Sequence, residues 1–173
     1  MIEILIIFIA GFLTKLSDYF ADDTKRKTYI GSIAGISYGI ITGFIIARFP
    51  PVAPLGIAVI LSVLFTKKID HPVHFLGIGS IILTFAFLGL PVIGILPVTI
   101  FLAGGLLDEA GNDLYDRGKI KGLLGRFLEY RMTMKLFTFV YSAATGLWEV
   151  FAAMLVFDLG YEIAGKLAKL SKI

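Results

Sequence analysis

The chain has 173 residues, 57% of them hydrophobic and 17% charged, with no cysteine and a formal net charge of +3. Its mean hydropathy is +0.88. Soluble domains run at about 45–50% apolar and about 25% charged, so this balance excludes disorder, a coiled coil, a disulfide scaffold and a soluble globule. It predicts an all-α, polytopic integral membrane bundle. A spanning helix needs about 20 apolar residues, which leaves room for about six spans in one transmembrane domain.

The first apolar run starts at Ile4 and stays uncharged to Thr14. It continues as Lys15-Leu16-Ser17-Asp18-Tyr19-Phe20-Ala21-Asp22-Asp23. A signal peptide carries its positive charge before the apolar stretch and small residues after it. The order here is reversed, so a retained span over 3–22 with a polar inner end is expected. The second span, 28–47, carries no charge before Arg48. Along it Gly31, Gly35, Gly39 and Gly43 recur every four residues. Glycine lets another helix backbone approach closely, which matters in lipid because helix association there has no hydrophobic drive. The stripe therefore packs against a helix of the same chain or forms a homodimer seam.

A third, short span over 52–66 follows Pro50 and Pro51 and ends before Lys67-Lys68. From Phe75 to Leu107 the chain is uncharged. Gly89-Leu90-Pro91 offers a turn that divides this run into spans over 75–89 and 91–107. Ile120, Leu123, Leu124 and Phe127 have helix-face spacing against Lys119, Arg126 and Glu129, which predicts an interfacial helix within 117–133. A sixth span over 136–157 has Glu149 near its middle. A tail over 160–173 alternates Lys166, Lys169 and Lys172 with Ile163, Leu167 and Leu170, the pattern of a helix lying on a membrane surface. Basic residues collect in cytoplasmic loops. That rule puts Lys25, Arg26, Lys27, Lys67, Lys68 and the basic residues from Arg117 to Lys135 inside, with the N-terminus outside. The setting expected is a prokaryotic plasma membrane with the acidic segments on its cytoplasmic face.

Charges near spanning segments are costly and mark function. Two segments concentrate them: 14–23, and Asp108-Glu109-Ala110-Gly111-Asn112-Asp113-Leu114-Tyr115-Asp116-Arg117. Residues i and i+4 share a helix face. Asp18 pairs with Asp22, Asn112 with Asp116, and Glu109 with Asp113, while Asp108 extends the face of Asn112. Carboxylates with an amide oxygen suit Mg²⁺, which also binds phosphate oxygens. The segments also align as a short parallel repeat, Gly11 on Gly105, Asp18 on Asn112 and Asp22 on Asp116. The chain has no glutamine and one asparagine, Asn112. Avoidance of thermolabile amides fits a thermophile and sets Asn112 apart. His71 and His74 flank Pro72, which is expected to break any helix aligning them. Lys15 is placed to bind a diphosphate or to pair with Asp18.

Asn112-Asp113-Leu114-Tyr115-Asp116-Arg117 resembles the NDxxD motif of the UbiA-type intramembrane prenyltransferases. Asp18-x-x-x-Asp22 resembles that family's DxxxD motif. The resemblance implies an all-helical bundle holding Mg²⁺ against a prenyl diphosphate, with Asp18, Asp22, Asn112 and Asp116 as ligands and Lys15 or Arg117 on the diphosphate. The chain is shorter than the family's members, its motif order is reversed, and Ile120 stands at the family's next acidic position. Walker loops, dinucleotide fingerprints and zinc cysteine sets are absent from the sequence, and no nucleic-acid partner is expected. The leading expectation is a Mg²⁺-dependent enzyme acting on a lipid-linked phosphate or isoprenoid diphosphate, with Asp18, Asp22 and Asp116 catalytic. Metal ligands would come from Asp18, Asp22, Asp108, Asn112, Asp113 and Asp116. An ion or solute transporter with an acidic vestibule, and a non-catalytic membrane protein, are the alternatives.

Overall fold

A computed structural model describes residues 2–22, 28–69 and 71–171, with the side chains of Asp22, Thr28 and Ser171 outside that description. The described residues form eight helices and no strand. They are α1 (Ile2–Asp22), α2 (Thr28–Arg48), α3 (Ala53–Phe65), α4 (Pro72–Leu88), α5 (Ile95–Asp116), α6 (Gly122–Glu129), α7 (Met132–Thr145) and α8 (Trp148–Ser171). The all-α expectation holds. Two stretches, Ile2–Ala21 and Tyr29–Arg48, are long and apolar enough to cross a membrane, while the apolar helices Ala53–Phe65 and Pro72–Leu88 are shorter.

Local chemistry sets the boundaries. Pro72 opens α4 rather than breaking it, because a proline at the first helical position lacks only an N–H that has no helical partner anyway. His71 is the N-cap, its Nδ1 accepting from the Val73 N–H at 3.3 Å. Gly89 ends α4 with φ +75° and donates its N–H to Phe85. The stretch expected to run unbroken over 136–157 is two helices. Gly146, with φ +78°, stops α7, and α8 starts at Trp148. Ser142 closes this corner, its Oγ donating to Leu147 O at 2.8 Å and accepting from Phe151 N at 3.3 Å. Glu149 thus lies in the first turn of α8. The expected tail over 160–173 is, through Ser171, the second half of that same helix. The expected interfacial helix is confined to Gly122–Glu129.

The chain divides into two compact units, 1–49 with 69–91 and 155–173, and 50–68 with 92–154. In the first, α2 packs against α1 and α4. Within the chain, Gly31 of the α2 stripe lies between Phe20 of α1 and Val73 of α4, and Gly35, Gly39 and Gly43 face α4. A Cβ added at Gly35 would lie 2.8 Å from Val73 O, one at Gly39 would strike the Gly77 carbonyl, and one at Gly43 would lie 2.7 Å from Thr84 Cβ. A homodimer seam through these glycines would have to displace α4. On the other side of α1, Gly11 abuts the Phe157 carbonyl and Gly160 the Phe8 carbonyl. This reciprocal approach brings the second half of α8 onto α1.

The second unit has its own apolar core of Leu55 and Ala58 from α3, Phe101 from α5, Met134 from α7, and Val150 and Met154 from α8. Tyr141 meets Phe101 edge to face at 5.0 Å. Gly105 lets α5 close on α3, where Ser62 Oγ lies 2.8 Å from the position a Cβ would take.

Candidate functional site

The acidic end of α5 belongs to the second unit. Asp108 is 2% exposed. Its Oδ1 accepts the Thr133 N–H at 2.9 Å and its Oδ2 the Met134 N–H at 2.8 Å. These are the second and third residues of α7, whose own N-cap, Arg131, makes no side-chain cap and sits in the left-handed region. A helix start leaves its first N–H groups without helical partners and carries partial positive charge. Asp108 satisfies both needs from a different helix.

The next residue, Glu109, is also buried. Arg131 Nη2 lies 3.4 Å from its Oε1 and Lys68 Nζ 3.1 Å from its Oε2. The latter is a charge contact off the line of a good hydrogen bond, since Oε2 has no aligned donor. Lys68 donates instead to Asp113 Oδ1 at 2.8 Å. The lysine reaches both acids because of how α3 ends. Lys67 takes φ +57°, and the Lys67 and Lys68 N–H groups turn back onto Leu64 O and Val63 O, a Schellman stop. Burial acts to lower the Lys68 pKa, but its bond to Asp113 and the negative charge of Glu109 outweigh that and hold it above the ordinary lysine value. The same bond holds the Asp113 carboxyl below its ordinary range.

Asn112 and Asp116 share a face as their spacing predicts. Asn112 Nδ2 donates to Asp116 Oδ2 at 3.1 Å in an exposed position. Arg117, the C-cap of α5, is also exposed. So both oxygens of Asp108 accept backbone N–H groups, Glu109 lies between two cations, and Asp113 gives one oxygen to Lys68. The Asn112–Asp116 pair remains outward on the helix.

The acidic end of α1 belongs to the first unit. Asp18 Oδ2 accepts the Tyr161 hydroxyl at 2.7 Å. Its Oδ1 faces His74 Nδ1 at 3.9 Å. The Lys15 ammonium stands 5.0 Å from the centre of the Tyr161 ring, a cation–π distance. Ser17 is fully buried and its Oγ lacks a hydrogen-bond partner. Asp22 follows Asp18 by one turn at the end of α1, with its side chain outside the described residues, as are Asp23 and Asp70. Among the described residues no three His, Asp or Glu side chains form a ready-made metal set.

His71 and His74 meet edge to face at 6.3 Å but take different roles, one capping α4 and the other facing Asp18. Tyr161 was not legible as a site residue. It joins Asp18 from 143 residues away, and only the close approach at Gly11 and Gly160 makes that possible. No family model, no curated protein and no solved structure matches the chain.

Proposed function

We propose that the chain is an integral membrane protein that binds the phosphate headgroup of a lipid-linked phosphate or prenyl diphosphate at the Asp18 end of its first unit and acts on it with Mg²⁺. The observation that carries this reading is the polar group gathered at the end of an otherwise apolar helix. Asp18, Tyr161, His74 and Lys15 combine a carboxylate, a phenol, an imidazole and an ammonium.

The membrane setting is supported by surface chemistry. Only 33% of the apolar stretch in α1 and 39% in α2 is buried, whereas the core helix of a soluble protein is mostly covered. Ile33, Ile40, Ile82, Leu83 and Phe87 also stand exposed along α2 and α4. Soluble monomers rarely show contiguous apolar patches of that kind.

Asp18 and Asp22, i and i+4 on one helix, offer oxygen donors of the type Mg²⁺ takes. The two committed oxygens of Asp108 fit a metal less well. When bound, the ion supplies a Lewis acid and a template for phosphate oxygens. The chain's own groups do the rest. Tyr161 orients the Asp18 carboxylate, Lys15 presents positive charge to a phosphate, and His74 takes or gives a proton beside Asp18. The resemblance of Asp18-x-x-x-Asp22 to the DxxxD motif supports this assignment.

The test uses purified protein in lipid nanodiscs, with Mn²⁺ as a spectroscopic probe and a polyprenyl diphosphate as substrate. Asp18→Asn and Asp22→Asn are expected to weaken Mn²⁺ binding and to abolish Mg²⁺-dependent release of phosphate or diphosphate. Unchanged Mn²⁺ affinity in the double variant would overturn the reading. A proton-coupled transporter is favoured by one observation, the facing of His74 and Asp18. Proton or solute flux in vesicles, lost in His74→Ala, would decide for it.

A further inference from the structure

The short helix α6 has two unlike sides. Leu128 packs on Gly111 of α5, and Gly125 is buried near the Ile120 carbonyl and the Tyr115 ring. Leu123, turned away from these contacts, and Leu124, flanking Leu128, are 87% and 59% exposed. Close to these leucines in the sequence, Arg117, Lys119, Lys121 and Arg126 are all exposed. Two carboxylates, Asp116 and Glu129, lie in the same stretch, and Glu129 is engaged by the Tyr115 phenol, whose pKa it raises. This exposed side of the 117–129 stretch thus combines bulky apolar tips with a surplus of cations.

We infer that this face of α6 inserts into the headgroup layer of the bilayer and binds anionic lipid. Apolar side chains beside basic ones suit the boundary between headgroups and acyl chains. Each Lys or Arg near an anionic surface is worth about 1 kcal/mol, roughly a five-fold gain in partitioning. The charge complementarity selects an anionic lipid surface over a neutral one. The leucines select a surface with an apolar interior over a free acidic solute. The inference rests on the membrane reading above, but not on the assignment of a reaction to Asp18.

The test places a fluorescent reporter on the face. Trp148 is the sole tryptophan, so Leu124→Trp in a Trp148→Phe background reports that position alone. A control chain carries Leu83→Trp, at an exposed position of α4, in the same background. Both are reconstituted into vesicles of phosphatidylcholine, or of phosphatidylcholine with a quarter phosphatidylglycerol, each containing lipid brominated on its acyl chains. Quenching of the Leu124→Trp reporter is expected to be several-fold stronger with phosphatidylglycerol. Lys119→Gln, Lys121→Gln and Arg126→Gln together should return it to the phosphatidylcholine level. Equal quenching in both lipids, or none while the Leu83→Trp control is quenched, would overturn the inference and leave the membrane reading standing. Failure of the control as well would overturn both. A reporter that leaves water only when a second protein is added would identify a protein partner and also overturn it.

Discussion

The Asp108 carboxylate on α5 accepts the Met134 backbone N–H on α7 at 2.8 Å, so a side chain of one helix caps the start of another. With the parallel bond to Thr133, the carboxylate spans the first turn of α7. Asp108→Ala would leave two N–H groups of a packed helix start without acceptors. Losing the partner of a buried polar group costs about 1–3 kcal/mol. The variant should unfold at lower temperature in detergent by a shift of that order, while Mn²⁺ binding at the Asp18 end stays unchanged. A chain as stable as the parent would show that Asp108 is not the cap of α7.

The Lys68–Asp113 pair predicts a pH profile. Asp113 has its folded pKa lowered, so its contribution to stability is present above about 3.8, the ordinary value, and fades as pH falls through the lower folded value. Lys68 has its folded pKa raised. Its contribution is full below the ordinary value of 10.5 and is lost as pH rises through the raised one. Linkage then requires both limbs to flatten in Lys68→Met. Denaturation of the parent and the variant across pH checks this, and parallel curves would count against the pairing. The pair is partly exposed, so solvent screening keeps the effect small.

Two helical glycines are opposites. A Cβ at Gly39 would run into the Gly77 carbonyl, whereas one at Gly79 meets nothing within 4 Å. Gly39→Ala should therefore push α2 away from α4 and lower stability by about 1–3 kcal/mol, the usual range for overpacking. Gly79→Ala should be neutral or stabilising by up to about 1 kcal/mol, since alanine suits a helix interior better than glycine. Thermal unfolding of the two variants side by side is the measurement. Similar losses in both would remove the close approach as the explanation.

Helices α3 and α5 end in the same way with different residues. Lys67 takes φ +57° after α3, and Gly118 takes φ +67° after α5. In each case the following N–H groups fold back onto the last turn. The left-handed region costs a non-glycine residue roughly 1–2 kcal/mol. Lys67→Gly should recover part of that, up to about 1 kcal/mol, and Gly118→Lys should lose a similar amount. Opposite signs in chemical denaturation support the shared stop, and a destabilised Lys67→Gly would refute it.

The parts of this chain readable from sequence are those governed by neighbours. The glycine spacing of α2 announces a close helix partner, the Gly89 break separates α4 from α5, and the i, i+4 spacing brings Asn112 to Asp116. Pro72 keeps His71 out of the helix that holds His74, as expected, but does so by starting α4 with His71 as its cap, which the proline alone does not reveal. The 136–157 run hid a break at Gly146, since a left-handed glycine leaves no mark in hydropathy.

What each acid does was decided by tertiary structure alone. Residues 108, 109, 112, 113 and 116 form one polar segment whose spacing assigns helix faces but not partners. For three of them partners arrive from other helices: the α7 backbone for Asp108, Lys68 from the end of α3 for Glu109 and Asp113, and Arg131 for Glu109 as well. Asp18 acquires Tyr161 and His74 in the same way. Helix faces follow from residues three or four apart along the chain. Whether a carboxylate is a cap, half of an ion pair or a site depends on groups brought near by packing, and sequence spacing does not encode that.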